Sequence, residues 1–188
     1  MPAWKSSIDL PLGWAGQPTL AARYAPRMEA VVFCGIQCSG KSTFYRDRFL
    51  DTHVRINLDM LRTRTRESIL LHACIKAKQP FVVDNTNATI EARRRYIAPA
   101  RITGFRLVAY YFHADVGDAI ARNRLRPPKE QILPGAIVGT YRRLQPPSKQ
   151  EGYARMHVVC IDGSGGFSVT EIDDLAPGAL SVRSIPFR

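Results

Sequence analysis

From residue 30 onward, short runs of β-branched and aromatic residues alternate with longer stretches in which polar and apolar positions mix. That rhythm is expected of a parallel sheet buried on both faces and covered by helices. The apolar run Ala-Val-Val-Phe-Cys at residues 30–34 predicts the first strand, and a Gly-containing loop then opens a helix over about 41–50. A second strand is expected at residues 54–58 and a helix over about 63–77. The strand at 81–84, the helix over about 89–98 and the strand at 106–112 continue the alternation. Residues 115–126 read as a helix stopped by Pro127 and Pro128, followed by a helix over 133–144 and an apolar run at 156–161. The expected fold class is α/β, and no internal repeat is visible.

The two ends read differently. Residues 1–28 carry Pro2, Pro11, Pro18 and Pro26 with Gly13 and Gly16, which predicts an arm or packed extension anchored by Trp4, Trp14 and Tyr24. Residues 163–188, with Gly163, Gly165, Gly166, Pro177, Gly178 and Pro186, predict a C-terminal extension holding at most one short edge strand. One domain over 29–162 is left between them.

The loop after the first strand carries the clearest chemistry. Gly35-Ile36-Gln37-Cys38-Ser39-Gly40-Lys41-Ser42 matches G-x-x-x-x-G-K-[ST], between an apolar strand and a helix start. Glycines let successive N–H groups turn toward phosphate oxygens, and the helix N-terminus adds partial positive charge. Lys41 is expected at the β- and γ-phosphates of ATP and the Ser42 hydroxyl on Mg²⁺, with Gln37, Cys38, Ser39 and Thr43 as neighbouring contacts. Cys38 is a redox-sensitive thiol or a tolerated small residue.

In a doubly wound sheet, ligands sit outside the carboxyl ends of the strands. Asp59 ends Val54-Arg55-Ile56-Asn57-Leu58, and Asp84 ends Phe81-Val82-Val83. Asp59 is expected to be the general base that orients a nucleophile, its plainer reading being a helix N-cap. Arg62, one helical turn on, is placed near the acceptor or the transferring group. Asp84 opens the polar run Asp84-Asn85-Thr86-Asn87. It is expected to help hold Mg²⁺ or the acceptor, with Asn85 and Asn87 as further acceptor contacts.

Arginines follow. Arg122 and Arg126 share a helical face and predict a lid over the ATP phosphates, with Arg126 beside the transferred group and Arg124 pointing elsewhere. Of Arg93-Arg94-Arg95, Arg94 is assigned to the acceptor; Arg62, Arg64 and Arg66 form a second alternating set.

Composition adds a partner. The 188 residues hold 27 Lys and Arg against 16 Asp and Glu, a net charge of +11. Such an excess attracts polyanions, nucleic acid first, although cations that serve phosphate handling or solubility also raise it. Cys34, Cys38, Cys74 and Cys160 make no CxxC pair or zinc-ligand cluster, so reduced thiols are expected. No run of 18 apolar residues occurs, and no continuous apolar stretch opens the chain; a cytoplasmic protein without a membrane span is expected.

Taken together, these residues resemble the 5′-hydroxyl polynucleotide kinases, namely the phage enzyme and the kinase domain of the eukaryotic kinase-phosphatases, over roughly residues 30–160. Besides the P-loop, Ile56-Asn57-Leu58-Asp59 is similar to the family's Asn-Arg-Asp segment, and Asp84-Asn85-Thr86-Asn87 leads to Arg93-Arg94-Arg95-Tyr96-Ile97. Arg122-Asn123-Arg124-Leu125-Arg126 looks like the lid, and Tyr141-Arg142-Arg143 through Pro146-Pro147 to Glu151-Gly152-Tyr153 resembles the closing segment. The resemblance implies a P-loop kinase fold and transfer of the ATP γ-phosphate to the 5′-hydroxyl of DNA or RNA. Asp59 would be the base, with Arg62 near the acceptor and a lid arginine on ATP. The family commonly has Arg where Leu58 stands, which leaves acceptor preference open. No DxDGT-like phosphatase motif occurs, so kinase activity alone is expected. A kinase of a small molecule or nucleotide sugar, similar to the zeta toxins, and a nucleotide-gated binding module are the alternatives. The number of subunits is not legible.

Overall fold

A computed structural model describes residues 28–163 and 165–173. The predicted arm, with Trp4, Trp14 and Tyr24, lies outside them. Among the described residues, six strands form one sheet in the order β2-β3-β1-β4-β5-β6. They are β1 (Glu29–Cys34), β2 (Val54–Ile56), β3 (Phe81–Val83), β4 (Arg106–Phe112), β5 (Arg155–Ile161) and β6 (Phe167–Ile172). The first five are parallel, and β6 runs antiparallel to β5 from Met156↔Ile172 to Ile161↔Phe167. Parallel pairing demands crossovers, which the helices supply. These are α1 (Lys41–Arg48), the single turn α2 (Leu58–Leu61), α3 (Arg64–Lys76), α4 (Ile90–Ile102), α5 (Val116–Arg124) and α6 (Pro134–Arg142).

The central strand β1 is wholly apolar after Glu29 because both of its faces are covered. Ala30 and Val32 face a cluster with Leu71 and Cys74 of α3 and Tyr96, Ile97 and Ala100 of α4. Val31 and Phe33 face the other way, against Phe44 and Tyr45 of α1 and Phe49. Phe33 sits at the middle of that aromatic group, with ring centroids 4.9 Å from Phe112 and 5.9 Å from Phe44. A smaller cluster joins Ile36 of the P-loop to Ala119 of α5 and Ile137 of α6.

Three boundaries differ from the periodicity. The second strand stops at Ile56, because Asn57 turns out of the sheet and caps α2, accepting a bond from the Met60 N–H at 2.9 Å. Leu58 and Asp59 are therefore helical. The α4 helix continues through Pro99 to Ile102, whereas a stop near residue 98 is expected. Pro in a helix interior costs about 3 kcal/mol, and here the buried Tyr96, Ile97 and Ala100 anchor the last turns on the sheet. Finally, the edge strand expected in the C-terminal extension pairs along the whole of β6 and reaches the P-loop through Phe167.

Because β1 lies between β3 and β4, the chain leaves it in opposite directions on its two sides, and a crevice opens at the carboxyl ends of the strands.

Candidate active site

The P-loop runs from the end of β1 into α1, and packing explains both of its end glycines. A Cβ on Gly35 would lie 2.9 Å from the backbone oxygen of Phe112. Gly40 has φ 93°, a left-handed conformation, and a Cβ there would lie 2.8 Å from the Phe167 ring. Gly40 is also the N-cap of α1 and offers no side chain, so the first N–H groups of the helix are not capped by it.

Lys41 is buried and folded back over its own loop. Its ammonium donates to the Gly35 carbonyl at 3.0 Å, to the Ile36 carbonyl, and to Ser39 Oγ at 3.2 Å. Burial pushes its pKa down to about 8, against the nearby Asp84 carboxylate, which favours the charged form. These three oxygens hold the cation where an incoming phosphate would compete for it.

Asp84 extends β3 by one residue, its N–H bonded to the Ile56 carbonyl at 2.9 Å, and only 2% of it is exposed. Ser42 Oγ donates to Asp84 Oδ2 at 3.0 Å. Arg55 joins them from β2, giving its Nε to Asp84 Oδ2 at 2.9 Å and its Nη2 to Ser42 Oγ at 2.8 Å. Arg55 is not among the site residues expected from the sequence. Its signal is a lone cation inside a three-residue strand that pairs with buried β3.

Asp59 lies in the first turn of α2, exposed, on the wall of the crevice. The N-cap role that competes with its use as a base belongs to Asn57. Asn57 also donates to the Asp84 carbonyl, so the two carboxylate-bearing corners are tied together.

The cavity measures about 610 Å³. Of the predicted phosphate contacts, Gln37, Cys38, Gly40, Lys41, Ser42 and Thr43 line it; Gly35 and Ser39 lie beneath. Asp59, Asp84 and Asn85 form one wall, and Arg122 and Arg126 reach in from α5 and the turn after it. Arg122 Nε donates to the Cys38 carbonyl at 2.8 Å, and Arg126 has only a loose pair with Glu130 at 3.6 Å. Ile161, Gly165 and Phe167 add a wall that the sequence reading does not assign.

Other predicted residues sit elsewhere. Asn87 does not line the cavity: its buried side chain donates to the Phe33 carbonyl at 2.7 Å and the Val83 carbonyl at 3.3 Å, bracing β1 to β3. Asn85 is on the wall, yet its amide group donates to Glu67 at 2.8 Å and its oxygen accepts from the Leu58 N–H at 2.9 Å. Arg62 is exposed, in a left-handed conformation (φ 68°) that ends α2, and Arg94 is exposed on α4; neither lines the cavity. The buried member of the Arg93-Arg94-Arg95 run is Arg93, paired through both arms with Glu151 at 2.7 Å.

Among the described residues, no group of three or more His, Cys, Asp or Glu is arranged for a metal ion, and no helix is long and apolar enough to cross a membrane. All four cysteines are free, and burial pushes the Cys34 thiol up to about 11.

A mostly parallel sheet with a P-loop at the end of its central strand, a polar crevice and arginines across it is an arrangement suited to a phosphorylated ligand. Comparison agrees. Residues 64–147 match a protein family described as "AAA domain". The sequence is 28% identical over 137 residues to the bifunctional polynucleotide phosphatase/kinase of Schizosaccharomyces pombe. That alignment covers 70% of this chain and 33% of the relative, so the chain spans about a third of the relative's length. In fold it is similar to Kti12 of Chaetomium thermophilum, a structure with ADP-AlF3, at TM-score 0.54 and 14% identity over 72% of this chain and 92% of that one. It is also similar to a gluconokinase of Sinorhizobium meliloti, at TM-score 0.50 and 18% identity over 71% of this chain and 83% of that one. The chain thus shares its fold with these two proteins, and its sequence is similar to that of a polynucleotide phosphatase/kinase.

Proposed function

We propose that this protein transfers the γ-phosphoryl group of ATP to the 5′-hydroxyl of a nucleic acid, with Asp59 as general base. The observation that carries the reading is the placement of Asp59: it faces the cavity that holds Lys41 and Ser42, and Asn57 relieves it of capping α2. The 5′-hydroxyl would give its proton to the Asp59 carboxylate as its oxygen attacks phosphorus, and the bond from phosphorus to the β-bridging oxygen of ATP would break. Lys41 would leave its loop carbonyls for the β- and γ-phosphates. Arg126, loosely paired on the rim, would meet charge developing on the transferred group.

Ser42 and Asp84 fit Mg²⁺, since they offer hard oxygen donors 3.0 Å apart at the phosphate end of the cavity. Bound there with ATP, the ion would neutralise phosphate charge. The similarity to a polynucleotide phosphatase/kinase and the +11 charge support a nucleic-acid acceptor.

The protein is to be incubated with γ-labelled ATP, Mg²⁺ and 5′-hydroxyl oligonucleotides of DNA and RNA. Label on the 5′ end is expected, with Asp59→Asn cutting turnover by roughly 10²-fold or more while ATP affinity holds. Label on gluconate or a nucleotide sugar, with none on oligonucleotides, would replace this reading by a small-acceptor kinase.

A further inference from the structure

We propose that Arg55 is a positioning residue that acts as the resident counter-ion of Asp84 and sets how much Mg²⁺ the nucleotide site demands; this rests on the Mg²⁺-nucleotide part of the reading above and is independent of the acceptor. The placement follows from strand alternation. Val54 and Ile56 pack with the cluster that α3 and α4 cover, so Arg55 projects to the α1 face of the sheet. There its guanidinium lies over the Tyr45 ring, 5.3 Å from the centroid, which orients the fork toward Asp84 and Ser42.

One oxygen carries most of the traffic. Asp84 Oδ2 accepts from Ser42 Oγ and from both Nε and Nη2 of Arg55. Ser42 Oγ in turn accepts from Arg55 Nη2 at 2.8 Å, so the hydroxyl lone pair that a metal ion would need already faces a cation. The carboxylate is 2% exposed, whereas the arginine side chain keeps 28% of its surface in solvent. A buried carboxylate without a counter-ion is strongly destabilising, and Arg55 removes that penalty in the nucleotide-free protein. The same charge opposes a divalent ion on the same two oxygens. Arg55 must give up its bond to Ser42 for that ion to be held, and its solvent-facing side leaves room for the swing.

Two consequences separate this role from a purely structural one. Without Arg55, the nearby Lys41 ammonium stays bonded to its own loop and gives Asp84 no hydrogen bond, so stability becomes dependent on Mg²⁺. With Arg55 gone, competition ends and less Mg²⁺ suffices for nucleotide binding.

The experiment melts the nucleotide-free protein with and without millimolar Mg²⁺ at ionic strength matched with NaCl. It then titrates Mg²⁺ against binding of a fluorescent ATP analogue. The wild type is expected to melt at nearly the same temperature in both salts. Arg55→Gln is expected to melt lower without Mg²⁺, to regain stability saturably with it, and to bind the analogue at a half-saturating Mg²⁺ concentration at least about fivefold lower, the small end of ordinary coupling between ligands. Arg55→Lys, which keeps the charge but lacks the fork, should fall between, and it carries the test if the Gln variant does not fold. Equal or higher Mg²⁺ demand in the folded variants, with no metal-dependent melting, would overturn the proposal. No arm uses an acceptor or turnover, so failure of oligonucleotide labelling leaves it standing.

Discussion

At Lys41, burial and charge pull in opposite directions, and the balance is set close to neutral pH. The group titrates near 10.5 in an unfolded chain and near 8 in the folded one. Between those values the unfolded chain binds the extra proton. The nucleotide-free protein therefore gains stability from this group as pH rises from about 8 toward 10.5, and carries the full penalty below 8. Nucleotide affinity is expected to move the other way, because phosphates favour the ammonium. Calorimetry in buffers of different ionisation heat should show proton uptake on ATP binding near pH 8 and weakening affinity above it. Proton release, or an affinity flat from pH 7 to 10, would contradict this. The P-loop residues are legible because a motif fixes their geometry. Arg55 and Asn87 are not, since whether a polar side chain on a strand end faces a cavity or a neighbouring carbonyl depends on which strand lies beside it. In this chain β3 pairs with both β1 and β2, and that pairing assigns both residues.

Among the elements, the segment between α6 and β5 is tied to α4 through a buried ion pair. Arg93 of α4, with 0% of its side chain exposed, pairs with Glu151 and also donates to the carbonyls of Asn87 and Gln145. Glu151 Oε1 also accepts from the Ser148 N–H at 3.0 Å, closing a capping box on the short turn Lys149–Glu151. Removing one side leaves an uncompensated buried charge, so Arg93→Ala or Glu151→Ala is expected to cost about 3–5 kcal/mol. The double replacement Arg93→Met with Glu151→Leu should recover part of it, as denaturant midpoints would show; equal losses in single and double variants would argue against the pair. Periodicity found β1, β3 and β4 because each is a dense apolar run, whereas β2, with Arg55 at its centre, is overrun by two residues. It stopped α4 too early, since a proline weighs against a helix locally while the burial of Ala100 is a tertiary fact.

For the whole molecule, charge is the property most exposed to experiment. A net charge of +11 has little to do with the fold, yet a polyanionic acceptor would feel it. If two or three phosphates of a single strand are neutralised on binding, log affinity for the oligonucleotide should fall against log salt with a slope of roughly −1.4 to −2.1, at ~0.7 per phosphate. A slope near zero in filter-binding or anisotropy titrations would speak for a small, neutral acceptor. Charge excess was legible at once. The strand order was not, because no local signal tells β3 to insert between β1 and β2.

The last strand deserves to be seen in the order of synthesis. Phe167 of β6 packs edge-on against Phe44 of α1, with centroids 5.2 Å apart, and its ring fills the space that a Cβ on Gly40 would need. A loop made early in translation thus meets one of its walls only when residues far downstream have been threaded and paired. A nascent chain halted after β5 would own every P-loop residue and still hold them against an open side. The finished cavity is a late event in the life of each molecule.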